Sequence, residues 1–447
     1  MHAWRIWPVL ILMLFLGGGG VRLPTPEASG ELVIATLMSP TTYYLDANDH
    51  ETGYEYDLLK RFADRQGWQA RFLVVRSLTE LFDAVRSGRA HLAAAGLAIT
   101  EQRRRSLHFG PVYDHTTEWV VCRQPGRQPA NAAEMTGLRL EVSAGSSHAE
   151  HLAALRAQVA GLHWVEVESA DTEELFDRVE IGLTDCTVAD TDALDLGRNF
   201  HPNIKPVFEL AADQPQGWLL GQLFIASLAD RLDSFFRHDV SARLQAELHE
   251  RYFGHLNRLS DADIVGILEK RSSLLPQLRM QFVSAQGDTG LDWRLLAAVA
   301  YQESQWDANA ISPTGVRGIM MLTESTADAM GVKNRLDAKE SIQAGARYLA
   351  QLKAQIDPGV AEPDRTWMAL AAYNIGPSHF EDARRLAKKL GKDPTRWGAI
   401  KAVIHMLAQP ARAESLRYGY ARGGEARVFA ENVRIYYDIL KRFEPPV

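Results

Sequence analysis

From Glu31 onward, short runs of aliphatic and β-branched residues alternate with stretches in which apolar positions recur every three or four residues. The runs ELVIAT (31–36), QARFLVV (69–75) and AHLAAAGLAI (90–99) predict strands, and GYEYDLLKRFADRQG (53–67) and SLTELFDAVRSG (77–88) predict helices between them. This alternation predicts an α/β domain with a mostly parallel sheet. Ser77 followed by Glu80 reads as a capping box, with Gly88 as the stop. After about Asn257 the strand signals vanish and successive helical patterns predict an all-α domain. There, DTGLDWRLLAAVAYQES (288–304) places Leu296, Val299, Ala300 and Glu303 on one stripe, so a carboxylate continues an apolar face.

A chain of 447 residues exceeds one hydrophobic core, which predicts two or three domains. The net charge of -7, with both signs spread along the chain, argues against a nucleic-acid partner, which needs clustered Lys and Arg. The start, MHAWRIWPVLILMLFLGGGG, holds Arg5 before an apolar stretch too short to span a bilayer comfortably. It reads as a secretory signal within residues 1–30, with an uncleaved anchor as the alternative. No cysteine lies near residue 20, so a lipid-modified cysteine is excluded. Cys122 and Cys186 are too few for a disulfide scaffold; an exported compartment permits a bond, but two buried thiols are expected. The histidines show no metal-binding spacing, so neither a metal nor another cofactor is expected.

A glutamic acid buried without a countercharge titrates above its free value of about 4.3 and serves as a proton donor at neutral pH. Glycosidic cleavage needs such a donor for the leaving oxygen. Around Glu303 the chain reads ES, then SPTGVRGIMML (312–322), then ALAAYNIGP (369–377). Over roughly residues 285–440 this combination resembles the family 1 lytic transglycosylases, whose domain is similar to goose-type lysozyme. The resemblance implies Glu303 as sole catalytic acid and base, Ser312 positioning the substrate N-acetyl group, and Tyr373 with Asn374 near the reacting sugar. Gly315 and Gly318 are read as sites of close backbone approach to a glycan. Where the family has G-L-M-Q, this chain has Gly318, Ile319, Met320 and Met321, so a thioether replaces an amide at a sugar subsite. Its E-T-R-x-Y-V segment reads Glu425, Ala426, Arg427, Val428, Phe429, Ala430, losing a phenol hydroxyl; Glu425 touches a sugar or pairs with Arg422 or Arg427.

Residues 31–257, through GYEYDLLKRFA and LAITEQRRRSLHFGPVY, resemble the type II periplasmic solute-binding family that captures amino acids. That likeness implies two α/β lobes joined by crossing strands, with ligand in the cleft. Arg103, three residues after Thr100, would grip a ligand carboxylate with its planar fork. In VSAGSSHAEHL, Gly145, Ser146 and Ser147 would offer donors at a helix start. Asp190 would meet an ammonium group, and Tyr43 would cover the bound side chain. Ala98 stands where amino-acid binders often carry a hydroxyl, which leaves room for a peptide ligand. Residues 218–254 have helical spacing and return to the first lobe, and 258–447 form the helical domain.

The combined resemblance implies an envelope enzyme acting on peptidoglycan glycan strands. It would sit in the periplasm, held peripherally at the inner face of the outer membrane, with an amino acid or muropeptide bound in the first domain. Cleavage to an anhydro sugar end, hydrolysis by the same fold, and an inactive binding or sensing protein remain as three readings.

Overall fold

The computed structural model describes residues 22–46, 50–256, 258–313, 315–409 and 416–447. The apolar stretch of the leader lies outside the described residues. The first folded unit begins upstream of residue 31: the Leu23 amide donates to Gly88 O at 3.2 Å.

Six strands form the main sheet in the order Gln69–Val75, Glu31–Leu37, Leu92–Ala93, Ile204–Leu220, His108–Arg123, Cys186–Asp190. The expectation of a mostly parallel sheet needs correction. Only the first three strands run parallel; Ile204–Leu220 pairs antiparallel with both neighbours, and His108–Arg123 pairs antiparallel with Cys186–Asp190. The reason is the two crossing strands, of 16 and 17 residues. At about 3.3 Å per residue each reaches roughly 50 Å, long enough to serve both lobes. Register shifts near Pro206, Ala211 and Gly217 let the pair bend between lobes.

The first lobe packs helix Tyr54–Gln66 through Leu58, Leu59 and Phe62 onto Leu32, Ile34 and Trp218, joined by Leu228, Leu232 and Phe235 of helix Ile225–His238. The second lobe centres on Val120, Leu140, Val142, Leu152 and Val188. In it Cys122 and Cys186 are directly opposed residues of an antiparallel pair, and their sulfurs are bonded. This corrects the expectation of two free thiols: the register that aligns them joins positions 64 residues apart, beyond the reach of sequence spacing.

The second half is helical. Helix Trp293–Ser304 is buried from Trp293 through Tyr301 and packs against Gly423–Phe443, which also packs against Asp364–Ile375. Helix Ala242–Tyr252 belongs to both halves. Tyr252 Oη donates to Asp57 Oδ2 of the first lobe at 2.8 Å, while Glu250 and Gly254 O accept from Lys401 Nζ of the helical domain. Lys401 also reaches Glu431 at 2.6 Å, and Arg434 reaches the same carboxylate at 3.0 Å. Burial alone would raise Glu431; Arg434 and Lys401 overcome it and hold the group down at about 2. Among the described residues no helix is long and apolar enough to cross a membrane.

Candidate functional site

Glu303 stands in the last turn of Trp293–Ser304, and its surroundings are set by how that helix ends. Gln305 and Trp306 adopt φ of 52° and 65°, an uncommon left-handed pair for non-glycine residues. The turn is fixed by the Gln305 amide donating to Tyr301 O at 2.7 Å and the Trp306 indole donating to Ala297 O at 2.8 Å. Ser304 Oγ donates to Ile319 O at 2.8 Å, which ties the helix end to the loop carrying Gly318 and Met320. At Gly318, φ is 81° and an added Cβ would lie 1.8 Å from Arg335 O. That glycine is therefore required by the protein's own packing, which accounts for it without a glycan. Gly315, at φ 83°, has open space where a Cβ would stand.

Tyr373 closes the site from helix Asp364–Ile375. Its hydroxyl donates to Met320 O at 2.9 Å, and its ring lies between Tyr348, at 5.5 Å, and Phe429, stacked at 6.2 Å. The phenylalanine that replaces a family tyrosine thus keeps a ring against Tyr373 while losing a hydroxyl. Among the described residues no hydrogen bond or ion pair holds the Glu303 carboxyl. Loss of hydration by burial pushes it up to about 8, although the side chain keeps partial solvent access. Burial, then the Glu303 charge, pushes the Tyr373 hydroxyl well above its ordinary value, so the two groups share one electrostatic environment. The arrangement is a carboxyl whose burial favours its protonated form, beside a phenol.

The other residues singled out from the sequence are placed less uniformly. Ser312 Oγ accepts from the Val316 amide at 3.2 Å, shaping the turn after the helix. Met320 is fully buried, so its side chain belongs to the core and the assignment to substrate contact is corrected: what it contributes is its carbonyl, to Tyr373. Met321, at φ 47°, is partly exposed and retains its place beside the site. Asn374 is exposed. Glu425 forms a solvent-exposed pair with Arg422 at 3.4 Å, the second of the two roles expected for it.

Between the lobes of the first domain lies a cavity of about 590 Å³. Arg103, Ser146, Ser147 and Asp190 all line it. The Arg103 fork is already engaged: Nε donates to Glu150 Oε1 at 2.8 Å, Nη1 to Ala98 O at 3.0 Å and Nη2 to Gly145 O at 3.0 Å. Tyr43 does not line the cavity. Its ring packs 5.0 Å from Phe72 and its hydroxyl donates to Glu51 at 2.6 Å, which corrects its assignment as the ligand's cover.

Sequence reasoning missed the acids of this cleft: Glu55, Asp114, Asp171, Glu173 and Asp192 line it together with Asp190. Glu55 is almost fully buried and accepts from Tyr113 Oη at 2.6 Å, the Gly96 amide at 3.0 Å and the Trp218 indole at 3.1 Å. Burial outweighs these donors and leaves it raised to about 7. A signal for it existed: Glu55, Leu58, Leu59 and Phe62 share one buried helix face, the same pattern that marked Glu303.

Two family models match the chain. Bacterial extracellular solute-binding proteins, family 3, covers residues 32–255, and the Transglycosylase SLT domain covers 280–395. The membrane-bound lytic murein transglycosylase F of Thiobacillus denitrificans is 43% identical over 98% of this chain and 93% of its own length. The protein of the same name from Nitrosospira multiformis is 42% identical over 94% of this chain and 87% of its own. Among solved structures, an ancestral arginine-binding protein bound to arginine covers 50% of this chain and 99% of its own at 21% identity and a TM-score of 0.46.

Proposed function

The chain belongs to the membrane-bound lytic murein transglycosylase F family and is a peptidoglycan lytic transglycosylase; on that footing we propose that Glu303 alone supplies its acid and base. The Glu303 carboxyl gives its proton to the oxygen between N-acetylmuramic acid and N-acetylglucosamine as that bond breaks. The N-acetyl oxygen of the muramic unit stabilises the anomeric carbon. Glutamate then takes the proton of the same sugar's 6-hydroxyl, whose oxygen bonds to the anomeric carbon and displaces the N-acetyl oxygen. The product is a 1,6-anhydromuramic end, and Glu303 is protonated again. A tethered hydroxyl competes with water because its effective concentration is high. Ser312, Met321, Tyr373 and Asn374 are the residues proposed to hold the glycan around this acid.

The observation that carries this reading is Glu303 at the end of a buried helix beside Tyr373, its carboxyl without a hydrogen bond or ion pair among the described residues and pushed up to about 8 by burial. Digestion of purified peptidoglycan by the full chain, with mass spectrometry of the product termini, tests it. Anhydro ends that disappear in Glu303→Gln are expected. Reducing ends would instead make the protein a muramidase, and no cleavage would leave a binding protein.

The first-domain cleft is proposed to take an amino acid or muropeptide and to modulate cleavage. With the Arg103 charge met by Glu150 and acids around the cavity, a free amine on the ligand is favoured. The proposed location is the periplasm, with peripheral attachment to the inner face of the outer membrane. Its support is the relatives' membrane-bound description, and fractionation of envelope membranes tests it.

A further inference from the structure

Glu118 and Asp190 are directly opposed residues of the antiparallel strands His108–Arg123 and Cys186–Asp190. Like charges in this register repel, and Glu118 is fully buried, so the pair requires a cation. His148, at the start of helix Ser147–Arg156, brings Nε2 to 3.7 Å from Asp190 Oδ1 and 4.0 Å from Glu118 Oε1. Both separations exceed a hydrogen bond. Glu118 Oε1, His148 Nε2 and Asp190 Oδ1 are each buried without a hydrogen-bond partner among the described residues. The three atoms lie within 4.8 Å of one another. Thus one imidazole nitrogen and two carboxylate oxygens converge on a common point, near enough to pair by charge yet with no hydrogen bond to any of the three among the described residues.

We propose that a divalent first-row metal of the Zn2+ class binds between His148 Nε2, Glu118 Oε1 and Asp190 Oδ1. The donor set is the mixed nitrogen and oxygen kind that zinc accepts, and two carboxylates with a neutral imidazole balance its charge. Bonds of about 2.0–2.2 Å place tetrahedral ligands roughly 3.3–3.6 Å apart, so the imidazole stands within a few tenths of an ångström of the needed spacing to each carboxylate. The two carboxylate oxygens, with the three atoms spread over up to 4.8 Å, close by side-chain rotation of about 1 Å. The supporting shell is present as well: His151 Nδ1 lies 2.7 Å from Glu118 Oε2 and fixes the carboxylate with its other oxygen aimed at the site.

His148 and Asp190 line the cleft with Ser146 and Ser147, so the fourth coordination position opens into the cavity. A water, or a carboxylate or amine of the cleft ligand, fills it. The metal would then give the cleft the anchor that Arg103, tied to Glu150, does not freely offer. No chain motif announces this site, because its ligands come from positions 118, 148 and 190; the expectation of no metal rested on spacing alone. The competitor for the position is a proton on His148. Burial and Arg103 oppose that proton, while Glu118 and Asp190 favour it strongly enough to raise the imidazole overall. The inference stands apart from the role of Glu303.

Calorimetric titration of the chelator-treated full chain with Zn2+ tests the proposal, with Glu118→Gln and His148→Gln alongside. One equivalent per chain is expected, weakened about tenfold or more by either substitution. Absence of stoichiometric binding, or binding unchanged by both substitutions, overturns it. Because Glu118→Gln alters a buried position, the unsubstituted chain is also titrated with Co2+. Intense visible ligand-field absorption at one equivalent supports a four-coordinate nitrogen and oxygen site, and the spectrum of the hydrated ion alone rejects it.

Discussion

Arg442 Nη1 lies 2.6 Å from Glu173 Oε2, joining the last helix of the catalytic domain to a residue that lines the ligand cleft. The same helix carries Phe429, which stacks on Tyr373 beside Glu303. Glu173 of the cleft and Tyr373 beside Glu303 thus contact one and the same helix, Gly423–Phe443. Both members of the Arg442–Glu173 pair are partly exposed, so Arg442→Gln is expected to cost no more than about 1 kcal/mol of stability. Small-angle scattering should nevertheless show the second lobe displaced, with peptidoglycan cleavage retained. A scattering profile identical to that of the unsubstituted chain would show that the pair does not restrain the lobe.

Replacing the acid itself separates chemistry from stability. Glu303→Gln should lower cleavage by about 10²–10⁴-fold, the range for loss of a positioned proton donor. Because the folded-state value is near 8 and the ordinary value is 4.5, the folded protein binds this proton more tightly than the unfolded chain. The stabilisation is complete below the ordinary value and is lost as pH rises through about 8. The amide variant should therefore lose less stability than the parent between those limits in denaturant titrations; equal pH dependence would contradict the burial.

The same group sets the alkaline side of the rate profile. Initial rates of anhydromuropeptide release should fall as pH passes about 8, where Glu303 gives up its proton. A fall centred near 4.5 would mean an ordinary, hydrated carboxyl.

Tyr373→Phe removes the donor to Met320 O while leaving the ring between Tyr348 and Phe429. A loss of about 1 kcal/mol in stability is expected from the orphaned carbonyl. Cleavage should fall about tenfold, mainly in kcat, as the loop loses its hold next to the acid. A change confined to stability would reduce the hydroxyl to a packing role.

Removing the second-lobe crosslink acts on the other domain. Cys122→Ser with Cys186→Ser releases a closed loop of 64 residues and should cost about 2–4 kcal/mol in the first domain's unfolding. Calorimetry should show this transition moving down while the helical domain's remains.

The burial of Glu303, the proposed acid, was legible because its signal is local: Leu296, Val299, Ala300 and Glu303 follow one helical stripe, and a carboxylate on that stripe must lose hydration. The two-domain division followed from the change of period near residue 257. What escaped depends on partners far apart in the chain. The Cys122–Cys186 bond needs the register of two strands, the occupation of Arg103 needs Glu150 brought over from the second lobe, and the cluster at Glu118 needs a strand pair plus a helix start. Met320 was misplaced for a related reason. In a tight loop adjacent residues face opposite ways, and only coordinates show that Met320 turns inward while its neighbour Met321 stays at the surface.

Helix Ala242–Tyr252 is riveted on both sides, to Asp57 in the first lobe and through Glu250 to Lys401 beneath the catalytic helices. His255 adds a further anchor at 2.9 Å from Asp438. The first lobe and the lysozyme-like half therefore travel as a single chassis. The second lobe meets that chassis through ion pairs such as Arg442 with Glu173 and Lys205 with Asp261, and through Phe200, which is buried in the helical half's core against Phe443. Under the proposed modulation, a ligand that draws the two lobes together would load the contact at Arg442 and Glu173, and the second lobe would act as a lever on the helix that carries Phe429.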